Sequence, residues 1–68
     1  MTICMSNGGI YENVKTINEI KVEEISSVRL RGILSKNDFI DIEYLHFSHS
    51  SQAKAVLYTK CISSVNFD

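Results

Sequence analysis

The sequence predicts a mostly β fold, a short N-terminal helix followed by a five-stranded, strongly bent antiparallel small barrel, and three observations lead there. Apolar residues recur with helical spacing only at the start of the chain. From residue 20 onward they alternate with polar residues, and the β-branched and aromatic runs are punctuated by polar turn clusters. Proline is absent, and neither a repeat nor a low-complexity tract divides the 68 residues, so the chain reads as one domain.

Taken in order, residues 1–8 read as a loosely held lead-in, with Ser6, Asn7, Gly8 and Gly9 as start signals. Ile10, Val14 and Ile17 then fall at i, i+4 and i+7, and Tyr11 widens the stripe, which predicts an amphipathic helix over 9–18. Ile20, Val22 and Ile25 begin the strand-like part, and Ser26-Ser27 offers a turn. Val28-Arg29-Leu30-Arg31-Gly32 alternates apolar with basic, placing Val28 and Leu30 on one strand face and both arginines on the other. Ser35 to Asp38 is a polar turn, and Phe39 to Phe47 is a strand with Ile40, Ile42 and Tyr44 opposite Asp41 and Glu43. His46 to Gln52 is the tip of a hairpin. Ala53 to Lys60 carries Ala53, Ala55 and Leu57 on one face and Val56 and Tyr58 on the other, although its Ala, Lys, Gln and Leu content also suits a helix. A sharp bend near Lys60-Cys61 leads into a last strand, Ile62 to Phe67. Strands this short leave exposed edges that closure or pairing with a neighbour removes, which points to a barrel and to self-association.

Composition narrows the function. Seven Lys and Arg against eight Asp and Glu give a net charge of −1, so a sequence-blind nucleic-acid binder, which needs a basic excess, is disfavoured. Any nucleic-acid contact falls to local groups such as Arg29, Arg31 and Lys60. Cys4 and Cys61 lack metal-ligand spacing. The segment MTICMSNGG has no basic stretch, apolar core or small-residue cleavage pattern, so the expectation is a cytoplasmic protein with both thiols reduced. An exported barrel with a Cys4–Cys61 disulfide is the alternative. No run approaches the ~18 apolar residues of a membrane span. His46 and His49 supply only two ligands, so neither a metal nor another cofactor is expected. With no nucleophile triad, phosphate loop or supported carboxylate pair, the chain does not read as an enzyme.

VRLRGIL (28–34) followed by Asp38, and LYTKCISSVNF (57–67), resemble the two sequence motifs of the Sm-like (LSm) family, the second most closely in its Hfq branch of RNA chaperones. Leu30 and Gly32 match the first motif; Tyr58, Ile62, Ser63 and Val65 match the second. The resemblance covers about residues 20–67 and implies a homo-oligomer, a hexameric ring that binds uridine- or adenine-rich single-stranded RNA. It departs from the pattern at Thr59, Lys60 and Cys61, where lysine, histidine and alanine are usual, and at Glu23, where a stacking aromatic is usual. On this reading Phe39, Tyr58 and Lys60 would serve one RNA face and Arg29 and Arg31 the other. The competing expectation is a small β-barrel that docks on a protein partner and never touches nucleic acid.

Overall fold

A computed structural model describes the backbone of residues 1–46 and 51–67, and the side chains of the same residues except His46 and Ser51. Among the described residues the chain is mostly β, with one α-helix. The strands are β1 (Thr2–Met5), β2 (Ile10–Tyr11), β3 (Val14–Ile17), β4 (Ile20–Lys21), β5 (Phe39–His46), β6 (Ser51–Tyr58) and β7 (Ile62–Asn66), and helix α1 (Ser27–Lys36) lies between β4 and β5. They form two antiparallel sheets, one in the order β2-β1-β7 and the other β4-β3-β5-β6. Among the described residues these sheets do not close into a barrel.

The expected helix over 9–18 is instead a pair of strands and their turns. Val14 and Ile17 are both buried in β3, and the spacing that looked helical arises because the β3–β5 register slips between Val14 and Thr16. Asn13, Asn18 and Glu19 all have positive φ, which no α-helix tolerates. Asn18 and Glu19 together make the tight turn that folds β4 back on β3. Upstream, Asn7 shapes the β1–β2 turn: its Oδ1 accepts from the Gly9 amide at 2.9 Å, with Gly8 at φ 95°. The segment read as a loose lead-in therefore holds β1, the central strand of its sheet, and Ile3 within it is wholly buried.

The strand expected at 28–32 is likewise corrected, because these residues lie in α1. Ser26 caps the helix, its hydroxyl accepting from the Arg29 amide at 3.2 Å. Leu30 is buried, with Ile33 and Leu34 half-buried beside it, the i, i+3, i+4 stripe of a helix resting on a core. Val28, which alternation placed on Leu30's face, is 80% exposed. Arg, Leu and Lys are good helix formers, and their propensity outweighs an alternation only four residues long. Asn37 closes the far end, its Nδ2 donating to the Ile33 carbonyl at 2.8 Å.

Gly32 then sits in a helix interior, where an added Cβ would meet nothing within 4 Å beyond its chain neighbours and the helix's own backbone. Gly32→Ala is expected to stabilise the protein by about 1 kcal/mol and raise the melting temperature by several degrees. A glycine needed to bend a strand would give the opposite sign in the same thermal melt.

The C-terminal half follows the sequence closely. β5 and β6 form a hairpin in continuous register from Phe39↔Tyr58 to His46↔Ser51; of its expected tip, residues 47–50 lie outside the described residues, His49 among them. A 3-10 turn over Thr59–Cys61 makes the expected bend into β7, which pairs with β1. Thr59 Oγ1 donates to the carbonyls of Asn37 (2.7 Å) and Asp38 (3.1 Å), tying the exit of α1 to the exit of β6.

One core serves both sheets. Ile3 from the first sheet meets Val14, Ile17, Ile40, Ile42 and Leu57 from the second, and Ile25 and Leu30 close it. The sheets also touch through a Val14 amide bond to the Met1 carbonyl (2.9 Å) and an edge-to-face pair of Tyr11 and Tyr44, centroids 5.2 Å apart. Cys4 and Cys61 are free thiols, and no helix among the described residues is long and apolar enough to cross a membrane.

Candidate functional site

Alternation along a hairpin with one buried face decides what its other face offers. Ile40, Ile42 and Leu57 turn inward and are at most 3% exposed. Phe39, Asp41 and Glu43 of β5 therefore share the outer face with Gln52, Lys54, Val56 and Tyr58 of β6. The register sets Phe39 across from Tyr58, Asp41 across from Val56 and Glu43 across from Lys54. The Phe39 and Tyr58 rings lie 5.2 Å apart at 38°, and Phe39 (59%), Tyr58 (38%) and Val56 (65%) form an exposed apolar cluster.

The rest of this face is polar. Thr16, Glu19, Asp41, Glu43, Lys54 and Val56 line a shallow depression of about 260 Å³. Within it the Thr16 hydroxyl donates to Glu43 Oε1 at 3.0 Å. The face thus grades from two aromatic rings at the α1 end of the hairpin to carboxylates and one lysine along its length. No cluster of three or more metal-ligating side chains occurs among the described residues.

Among the described residues β6 is also the end strand of its sheet, with β5 as its one neighbour. The direction of its free backbone groups follows from one bond: Thr59 N donates to the Asp38 carbonyl at 2.8 Å, so this opposite pair is hydrogen-bonded. In an antiparallel ladder such pairs alternate. Leu57, Ala55 and Ala53 hence direct their backbone groups to β5, and those of Tyr58, Val56 and Lys54 point to the open edge.

Of the residues singled out in the sequence, Phe39 and Tyr58 come together, and Lys60 follows two positions on in the 3-10 turn with its side chain exposed. Arg29 and Arg31 do not join them as strand partners. Both are exposed on α1, where residues two apart point to different sides of the helix. Glu23 is exposed in the short 3-10 turn Val22–Glu24. Val56 was not singled out for this role, although its place opposite Leu57 in the alternation was visible; what the alternation could not tell was that β6 has an open side.

Comparison with protein-family models, with curated proteins and with solved structures finds no match to this chain.

Proposed function

We propose that this chain is a small interaction module, without catalytic activity, that takes an extended polypeptide strand on the open edge of β6. The observation that carries this reading is the edge itself. β6 runs for eight residues beside an exposed Phe39–Tyr58–Val56 cluster, in a register with β5 that shows no bulge. Proteins ordinarily blunt such edges with proline, bulges, inward charges or several lysines. Here Lys54 alone does so. Strand addition uses just these parts, backbone groups for affinity and alternate side chains for selectivity. A net charge of −1 suits a protein partner better than a polyphosphate one.

A second reading rests on the paired rings. Phe39 and Tyr58 offer a stacking platform, with Lys60 two residues on, and a base on such a platform gains about 1–3 kcal/mol. On that reading the chain acts as an Sm-like small barrel, and copies pair the β6 segment of one with the β7 segment of the next in a hexameric ring around single-stranded, uridine- or adenine-rich RNA. Arg29 and Arg31 provide its second contact. Both readings place the protein in the cytoplasm with its thiols reduced.

Affinity capture from cell extract, with and without nuclease, separates them. The strand-addition reading expects capture of protein that survives nuclease and is lost in Val56→Pro. Capture abolished by nuclease, with salt-sensitive oligonucleotide binding lost in Tyr58→Ala and Lys60→Ala, would favour RNA instead.

A further inference from the structure

Resting on the strand-addition reading, we infer that the strand received by β6 is β6 of a second copy, paired antiparallel about a two-fold axis through Val56. Two four-stranded sheets then become one continuous sheet.

The phase of the hydrogen bonds limits the choice of register. Backbone groups of Lys54, Val56 and Tyr58 face the open edge, so only registers that set these residues against one another join the two edges. Side chains choose among those registers. One in which Lys54 faces itself is repulsive, and so is one that sets Lys54 against Lys60 of the other copy. An axis through Ala55 sets Lys54 against Val56 and Gln52 against Tyr58, placing apolar groups beside polar ones.

An axis through Val56 instead puts the two exposed valines on each other and lays each Lys54 against the ring of the opposing Tyr58. The outer row then reads Phe39, Tyr58, Lys54, Glu43 across four strands, the last two from the opposing copy, so that each ammonium lies between a ring and its own Glu43. On the inner face Leu57 meets Ala55 of the other copy, a large side chain against a small one. No like charges oppose each other in either row. The edge is self-complementary in this register, and that selects a second copy over an unrelated strand.

Sedimentation velocity over a concentration series tests the pairing. The wild-type chain is expected to form a concentration-dependent dimer. Val56→Pro removes an amide that points to the open edge and leaves the β5–β6 ladder intact. Val56→Lys opposes two ammonium groups at the axis, at a position 65% exposed in the single chain. Each variant is expected to keep the wild-type circular dichroism and to lose at least tenfold in dimer affinity. The second variant keeps the test sharp if the first fails to fold.

A wild-type chain still monomeric at about 1 mM, the concentration range of weak association, overturns the inference. So does a dimer indifferent to both substitutions, or a closed ring of more than two copies. Nuclease-resistant capture by a monomeric wild type, lost in Val56→Pro, would refute the self-pairing and leave the strand-addition reading standing.

Discussion

Replacing Ile3 by alanine is expected to unfold most of the protein at room temperature. A chain of this size rarely gains more than about 3–5 kcal/mol from its single core. Ile3 is wholly buried, and truncating a buried isoleucine costs about 2–5 kcal/mol. It is also the one fully buried residue of the three-stranded sheet, so its loss removes the deepest contact between β2-β1-β7 and the other sheet, leaving half-buried groups such as Met5, Tyr11, Ile62 and Val65 to hold the two together. Urea denaturation followed by circular dichroism measures the effect. Ile10→Ala is the control, because Ile10 lies in the same sheet at 60% exposure and its loss should stay within about 0.5 kcal/mol. Equal midpoints for the two variants would refute the shared core.

Asn18→Ala ranks second, with an expected loss of about 1–3 kcal/mol from two sources. Asn18 has φ 51°, a conformation asparagine tolerates and alanine resists. Its Oδ1 also accepts from the Asp41 amide at 2.9 Å, while its own amide donates to the Asp41 carbonyl at 2.7 Å, so the turn is clamped to β5. Glu19, at φ 69°, should respond with the opposite sign. Glu19→Gly yields the Asn-Gly pair that such turns favour and is expected to add about 0.5–1 kcal/mol. The same urea titration reads both, and a neutral or destabilising Glu19→Gly would mean that this turn is not left-handed in solution.

The two halves of the chain differ in how openly their residues declare their structure. The β5–β6 hairpin was readable because Ile40 and Ile42 alternate with Asp41 and Glu43 in β5, while in β6 the alternation of Ala53, Ala55 and Leu57 had to outweigh a composition that also suits a helix. The bend at Thr59–Cys61 was readable from the same alternation failing.

The N-terminal half misleads because β2 and β4 have two residues each. Strands that short show no period, and the register slip between Val14 and Thr16 turns both Val14 and Ile17 inward, in apparent helical spacing. At 28–32 a chance alternation of valine, leucine and arginine hid a helix whose clearest signal was Ser26 as its cap. Half of the Sm-like resemblance rested on that segment as a strand, and it therefore carries less weight than the hairpin and the closing strand. The open edge of β6 depends on which strands neighbour it, information that no local pattern holds.

The pairing of β1 with β7 joins segments more than fifty positions apart. Such distant partners must search a large loop before any contact rewards them, so this chain should fold slowly for its length, in milliseconds or longer. On the ribosome, β1 emerges first and has to wait for β7. Until Ile62–Asn66 clears the exit tunnel, Ile3 has no finished sheet to hold it against the core, and the nascent chain presents that side chain to whatever lies nearby.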